Sequence, residues 1–282
     1  MVKKPQRNRD TACFPVRKVG AVGSAAADDV VAVEEPLGIR LVWPTAAGRV
    51  TRDVAVTMRT PGQDAELAVG FLFTEGLVSA ASHVSDVVIP DPDGPDDIIE
   101  VLLSSEPLFD PADQPRNFFI SSSCGLCGKA SVNAVRTQAS FPLGGQEFFI
   151  PAKVLSQLPG LLMGGQKTFA GTGSVHAAVL FTADGLCSEV YEDIGRHNAL
   201  DKLIGASLLA GHLPVRNAGI FVSGRSSFEL VQKARMAGCA MLAAVGAPSS
   251  LAIELARDSD MSLLGFVREE RFNVYAGPGR IR

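Results

Sequence analysis

The second half of the chain alternates regularly between strand-like and helix-like segments. Short apolar runs that predict strands lie at residues 175–181, 219–224, 241–246, 263–268 and 271–277. Between them, apolar residues at helical spacing predict helices at 199–210, 227–239 and 249–259. Because this order covers a buried sheet with helices, it predicts a layered α/β domain, which we place at residues 116–282.

The first half predicts a smaller N-terminal α+β subdomain over residues 29–115. Alternating stretches at 39–43 and 50–60 predict paired strands, and helical spacing over 64–78 predicts a helix packed on them. Residues 1–28 are polar and basic and then rich in glycine and alanine. Since they offer little apolar surface to bury, we expect a flexible tail there.

Composition limits the classes of function. The chain is 46% hydrophobic and 20% charged, with a net charge of -4, so it lacks the Lys/Arg excess of a nucleic-acid-binding protein. No apolar run approaches the roughly 20 residues that cross a bilayer. The basic N-terminus leads into no apolar signal sequence. We therefore expect a cytoplasmic protein with neither nucleic acid nor membrane as a partner.

The sequence CGLCG places two thiols, Cys124 and Cys127, close together between a strand-like run at 117–120 and a helix-like segment. A helix N-terminus lowers the pKa of a thiol, and Lys129 adds positive charge one turn further on. Cys124 is therefore a candidate nucleophile that accepts a sulfur atom as a persulfide. Cys127 is a candidate to resolve or regulate that persulfide by forming a disulfide.

Other chemistries suit a CxxC pair as well. Structural zinc needs four ligands, and the remaining cysteines, Cys13, Cys187 and Cys239, are isolated from one another in the sequence. We therefore expect no metal bound by side chains, although a site shared between two chains stays open. A dithiol oxidoreductase and an inert packed pair are further alternatives.

Two strand-to-helix turns carry serines next to glycine. In VSGRSS, helix N-H groups and Arg225 predict a phosphate cradle, and VGAPSS repeats the layout, which suggests two helix N-termini at one sheet edge. The alternative is that these serines only cap helices. The candidate anion-binding residues are Ser223, Gly224, Arg225, Ser226 and Ser249.

The segment EDIGRHNALDK packs charged and polar side chains into one turn and helix start. His197 is a candidate for proton transfer because histidine titrates near neutrality, and Arg196 is a candidate to bind an anionic ligand. The alternative is a solvated helix start capped by Asn198. GTGSVHAA lacks the lysine and spacing of a Walker loop, and its His176 reads more simply as a core histidine.

These motifs occur together in a recognisable order. SSCGLCGKAS, GTGSVHAA, EDIGRHNALDKLIG, VSGRSSFELVQKA, GAPSSLAIELA and GFVREERFNVYAG resemble the FdhD/NarQ family of formate dehydrogenase accessory sulfurtransferases, from about residue 30 to the C-terminus. The resemblance implies a sulfur carrier that takes sulfur from a cysteine desulfurase as a Cys124 persulfide. It implies delivery of that sulfur to molybdenum bis(molybdopterin guanine dinucleotide), before insertion of this cofactor into the catalytic subunit of formate dehydrogenase.

The resemblance also implies where the cofactor is held and how the chain folds. The cofactor-binding segment of the family matches Phe272, Asn273, Val274, Tyr275, Ala276 and Gly277. The family's main domain is similar to the cytidine-deaminase fold, a layered α/β domain with a mixed sheet, and its members form homodimers. Deaminase chemistry does not follow, because CGLCG precedes His176 and Ala178 stands where a deaminase has its Glu. The alternative function is a cofactor-binding chaperone with a structural or redox CxxC.

Overall fold

A computed structural model of the chain describes residues 8–90, 97–108, 141–143, 146 and 148–282. Cys124, Cys127 and the predicted strand at 117–120 lie outside these residues, so their expected roles stay predictions. The division into domains at residue 115 falls in the same part of the chain and also stays a prediction.

The N-terminal part contains a hairpin where a tail was expected. Strands β1 (Thr11–Gly20) and β2 (Gly23–Ala32) pair in antiparallel register. The expectation of a flexible tail is therefore wrong for these residues. The backbone N-H of Val33 donates to the carbonyl of Asp10 at 2.8 Å, and the Thr168 hydroxyl donates to the Asp10 carboxylate at 2.8 Å. The first bond closes the base of the hairpin, and the second ties this base to α3 (Lys167–Thr172), a helix distant in sequence that composition alone cannot reveal.

A four-stranded sheet follows, built from β3 (Glu35–Thr45), β4 (Gly48–Arg59), β5 (Val84–Val88) and β6 (Ile98–Leu103) in the order β4-β3-β6-β5. β3 and β4 are antiparallel, which confirms the predicted strand pair, whereas β3 and β6 are parallel. Helix α1 (Asp64–Thr74) begins where the apolar spacing predicts and ends earlier. Leu67, Leu72 and the inward residues of β3 share one buried cluster.

The second half forms a six-stranded mixed sheet with helices. After α2 (Ala152–Gly165) and α3 (Lys167–Thr172) come β7 (His176–Thr182), β8 (Tyr191–Asp193), α4 (Arg196–Leu209), β9 (Ala218–Val222), α5 (Phe228–Met236), β10 (Met241–Ala244), α6 (Ser250–Asp258), β11 (Ser262–Gly265) and β12 (Asn273–Ala276). The sheet order is β12-β11-β10-β9-β7-β8. Every strand and helix that the alternation predicts is present, so the predicted mixed α/β class is confirmed. The likeness to cytidine deaminases stays a prediction.

Both faces of this sheet are buried. Along β7, Ala178 belongs to the cluster that includes α1 and α4, whereas Ala177, Val179 and Phe181 belong to a second cluster with Leu155 of α2. Side chains alternate between the two faces of a strand. A sheet covered on both faces therefore explains why these strands are continuously apolar in sequence.

Helices α1 and α4 touch through their backbones at two glycines. A side chain on Gly70 would overlap the carbonyl of Asp201, and one on Gly205 would overlap the carbonyl of Glu66. Because the contacting atoms are backbone on both sides, neither helix can shift a side chain to accommodate a methyl group. This contact fixes the four-stranded sheet, which α1 covers, against the six-stranded one.

We expect Gly205→Ala to lower the free energy of unfolding by at least about 1–3 kcal/mol, the usual cost of overpacking. The matched control is Gly160→Ala in α2, where nothing lies within 4 Å of an added methyl group. Because alanine favours helix over glycine by up to about 1 kcal/mol, this control should be neutral or stabilising. Urea denaturation measures both, and equal effects of the two variants would contradict the close helix contact.

Candidate functional site

One edge of the six-stranded sheet gathers most of the motifs. Strands β9, β10 and β11 are parallel, β7 is antiparallel to β9, and β8 is antiparallel to β7. The C-terminal ends of β8, β9, β10 and β11 therefore share one edge with the first residue of β7, His176. Helices α4, α5 and α6 all begin at this edge, which we call the motif edge. The predicted convergence of two helix N-termini is found, with α4 as a third.

The turns after β9 and β10 run side by side. The N-H of Gly246 donates to the carbonyl of Gly224 at 2.9 Å, that of Ser226 to Ala247 at 3.1 Å, and that of Ser249 to Ser226 at 3.0 Å. A methyl group at Gly246 would lie 2.8 Å from both the Arg225 Cα and the Gly224 oxygen. The glycine is thus required for the close approach of the two turns.

The serines in these turns have different roles. The Ser249 hydroxyl accepts from the N-H of Ala252 at 3.3 Å and caps α6, and the Ser223 hydroxyl accepts from the N-H of Ala177 at 2.9 Å. Ser226 is fully buried, and its hydroxyl has no hydrogen-bond partner in the described part of the chain. The side chain of Arg225 is exposed at the same turn. Capping therefore accounts for Ser249, whereas Ser226 retains an unused hydrogen-bonding group.

The turn into α4 is built around the carboxylate of Asp193. This fully buried group accepts hydrogen bonds from Gly195 N-H at 2.8 Å, Thr60 N-H at 3.2 Å and the Asn198 amide at 3.0 Å. The ammonium of Lys202 lies 2.8 Å away. Asn198 therefore works inside the fold by holding Asp193 and the carbonyl of Met58 at 2.8 Å. The alternative of a solvated helix start capped by Asn198 is therefore wrong, since Gly195 stands at the N-cap position and no side chain caps the helix.

His197 is the second residue of α4, and its largely buried side chain contacts the first turn of α5. Its Nε2 is 3.3 Å from the Ser227 hydroxyl and 3.3 Å from a carboxylate oxygen of Glu229. Burial, together with the nearby charges of Lys233 and Arg196, lowers the pKa of His197 to about 3. The imidazole is thus neutral at physiological pH, and its expected role in proton transfer stays a prediction.

His176 stands at the motif edge next to Gly224. A methyl group on Gly224 would lie 3.4 Å from the His176 Nδ1 and 3.6 Å from the Arg196 Cβ. Burial lowers the pKa of His176, with a further lowering from Arg196 that the carboxylate of Asp193 opposes. The expected core histidine is therefore half-buried and borders the turn that carries Arg225.

The segment Phe272–Gly277 is divided between two ends of the sheet. Asn273 of β12 pairs with Gly265 at the motif edge, whereas Ala276 pairs with Leu263, three residues and about 10 Å away. Gly277 lies beyond it, where the Ser262 hydroxyl donates to its carbonyl at 2.6 Å. Phe272 and Asn273 therefore share the motif edge with Arg225, and Ala276 and Gly277 do not. Val274 and Tyr275 lie between these two ends.

Two of the three cysteines in the described part of the chain are poor nucleophiles. Burial raises the pKa of Cys239 to about 12, and burial also raises the pKa of Cys187. A thiol that stays protonated cannot attack a persulfide efficiently. Cys13 lies half-buried on β1, in the hairpin.

Sequence reasoning missed several residues of this site. It did not predict that Lys233 and Glu229 of α5 would surround His197, because they follow it by more than 30 positions. It also gave no role to Phe266, which follows β11 at the motif edge. Helical spacing across 228–236 was the available signal for Lys233 and Glu229, and nothing in the pattern marked Phe266.

Comparison with known proteins identifies the family. The family model described as FdhD/NarQ family matches residues 32–282. This chain belongs to the FdhD/NarQ family. A protein named sulfur carrier protein FdhD from Mycolicibacterium paratuberculosis is 45% identical over 261 residues, covering 91% of this chain and 93% of the relative. Its counterpart from Nocardia farcinica is 43% identical over 280 residues, covering 97% and 96%.

A solved structure agrees with the fold. The crystal structure described as a formate dehydrogenase accessory protein from Desulfotalea psychrophila has a TM-score of 0.74, covers 97% of this chain and 100% of its own, and is 22% identical. At this identity the likeness shows the shared fold. Within the described ranges, no helix of this FdhD/NarQ family member is long and apolar enough to cross a membrane.

The unusual pKa of His197 predicts a pH dependence of stability. Between about pH 3 and 6.5 the unfolded chain binds a proton at this position and the folded chain does not. Acidification from pH 7 towards pH 4 should therefore lower the free energy of unfolding, by up to about 1.4 kcal/mol per pH unit for this group. His197→Gln should reduce this slope.

The control is His212→Gln at an exposed histidine that follows α4. Chemical denaturation at several pH values gives both slopes. An unchanged slope in His197→Gln would show that His197 titrates normally in the folded chain. The slope, and not the absolute stability, is the readout, because the variant also changes contacts with Ser227 and Glu229.

Proposed function

We propose that this protein is a sulfur carrier for formate dehydrogenase maturation, with Cys124 as the persulfide carrier. Family membership over residues 32–282 is the observation that carries the proposal, since curated relatives bear the name sulfur carrier protein. The high pKa values of Cys239 and Cys187 support it by making these thiols unsuitable. The donor is a cysteine desulfurase, and the recipient is the molybdenum cofactor of formate dehydrogenase.

The sulfur transfer has two balanced steps. The Cys124 thiolate attacks the terminal sulfur of a persulfide on the desulfurase, so that an S-S bond forms on Cys124 and the desulfurase cysteine leaves as a thiolate. The Cys127 thiolate then attacks the Sγ of Cys124, which forms a Cys124–Cys127 disulfide and releases hydrosulfide to the cofactor. The two cysteines supply the two electrons, and a dithiol reductant restores them.

The motif edge is the proposed binding site of the cofactor, molybdenum bis(molybdopterin guanine dinucleotide). This cofactor is a substrate of the protein. Its phosphate groups suit the helix N-termini and Arg225, because free N-H groups and a guanidinium both bind phosphate. The first turn of α6 contains no acidic residue, so no carboxylate of its own offsets the partial positive charge at this helix N-terminus. The residues that would hold the nucleotide part are Ser223, Gly224, Arg225, Ser226, Phe272 and Asn273.

A cofactor-binding chaperone is the second candidate. The helix N-termini and the unused hydroxyl of Ser226 favour cofactor binding regardless of what the cysteines do. In this case the protein would hold and dock the cofactor without carrying sulfur. The family resemblance also implies a homodimer and docking to the catalytic subunit of formate dehydrogenase, which both candidates share.

We expect the purified protein, incubated with a cysteine desulfurase and cysteine, to gain the mass of one sulfur atom at Cys124. Cys124→Ala should abolish this gain, and Cys187→Ala should retain it because burial keeps the Cys187 thiol protonated. Intact-mass spectrometry followed by peptide mapping makes the measurement. The sulfur-carrier proposal fails if Cys124→Ala still supports full maturation of formate dehydrogenase, and the chaperone function would then stand alone.

A further inference from the structure

The backbone of Phe266 has a conformation that a bulky residue rarely adopts. Its φ angle is 53°, in the left-handed region. The other non-glycine residues with positive φ in the described ranges are Gln63, Asn217 and Asp260, and Asn and Asp adopt this region far more readily than Phe. A strained aromatic residue at this position therefore calls for a compensating role.

Phe266 is not a core residue. The Phe266 side chain is 42% exposed, whereas the next residue, Val267, is fully buried. The backbone is held in place by Phe266 N-H donating to the Gly246 carbonyl and Val267 N-H donating to the Ala244 carbonyl, both at 3.1 Å. The chain thus fixes this backbone firmly while leaving the ring partly in solvent.

Phe266 belongs to the motif edge. One row of hydrogen bonds joins Gly224, Gly246 and Phe266, because Gly246 N-H donates to the Gly224 carbonyl and Phe266 N-H to the Gly246 carbonyl. Two strand spacings separate the first and the last of these residues, about 10 Å. The aromatic residue therefore lies two turns away from Arg225, along the same edge.

A second aromatic residue lies close to the same turn. A methyl group on Gly265, the residue before Phe266, would be 3.1 Å from the Cε2 of Tyr275 and 2.9 Å from the Cδ of Pro248. The Tyr275 hydroxyl is hydrogen-bonded to the amide of Asn273 at 3.3 Å. The turn after β11 thus carries one aromatic residue and lies next to another, between the proposed phosphate-binding turns and β12.

We propose that the ring of Phe266 stacks on the planar base of the bound nucleotide and thereby selects a nucleotide over a bare phosphate. The inference rests on the proposed cofactor site and deepens it. Arg225 and the helix N-termini bind the phosphates, and Phe266 binds the heteroaromatic ring. The two strand spacings between the Gly224 turn and Phe266 allow one nucleotide to make both contacts. Stacking is sequence-tolerant because every base has a π-face.

The test measures binding of guanosine diphosphate and of inorganic pyrophosphate by calorimetry on the full chain. Phe266→Asn removes the ring and tolerates the left-handed backbone, so the fold should be kept, as checked by thermal denaturation. We expect it to weaken guanosine diphosphate binding by about 5- to 150-fold, the range for loss of one base-aromatic contact, and to leave pyrophosphate binding unchanged. Phe266→Tyr should restore nucleotide binding.

Two control variants distinguish a failure of the stacking role from a failure of the proposed cofactor site. Phe14→Asn removes an aromatic ring that is 43% exposed in a different sheet and should change neither affinity. Arg225→Gln should weaken both ligands. If Phe266→Asn leaves nucleotide affinity intact while Arg225→Gln lowers it, the stacking role is wrong and the phosphate site stands. If the unaltered protein binds neither ligand, both the proposed cofactor site and the stacking role are wrong.

Discussion

The buried carboxylate of Asp193 holds together the parts of the chain that form the motif edge. It lies at the end of β8 and accepts hydrogen bonds from Gly195 and Asn198 in the turn into α4 and from Thr60 after β4. Lys202, one turn further along α4, neutralises it and also donates to the carbonyl of Thr60 at 2.9 Å. Removing one partner of such a pair leaves an uncompensated buried charge, which is strongly destabilising. The start of α4 is thereby fixed to both sheets.

A second buried ion pair, between Lys233 and Asp201, joins α5 to α4. The Lys233 ammonium lies 2.8 Å from the Asp201 carboxylate and donates to the Thr74 hydroxyl at 2.9 Å, so it joins α5, α4 and α1. Burial lowers the pKa of Lys233, but the carboxylates of Asp201, Glu75 and Glu229 outweigh it and the pKa is raised. Burial raises the pKa of Asp201 to about 6, so the pair is charged at neutral pH. Burial first, and then this positive charge, lowers the pKa of the neighbouring His197.

Local sequence patterns predicted the six-stranded sheet and its helices, because the spacing of apolar residues and the turn residues between segments are properties of short stretches of chain. The same reasoning failed for the hairpin of β1 and β2, whose Ala, Gly and Asp residues are not typical of strands and whose base depends on Thr168. It placed Ser226 and Arg225 at one sheet edge correctly, since strand direction determines where turns meet. It could not predict the low pKa of His197, which depends on burial and on the charge of Lys233 more than 30 positions away. It also could not predict the left-handed backbone of Phe266, whose N-H donates to the carbonyl of Gly246 in another turn.

Burying the carboxylates beneath the motif edge has a consequence for anion binding. Asp193 and Asp201 lie close to the helix starts, and as exposed groups they would repel a phosphate. Each is instead saturated by donors and paired with a lysine inside the fold. The guanidinium of Arg225 remains exposed at this edge, together with Arg268, Glu269, Glu270 and Arg271 in the turn between β11 and β12. The ion pairs that stabilise the sheet therefore also keep the carboxylates of Asp193 and Asp201 away from a ligand at the motif edge.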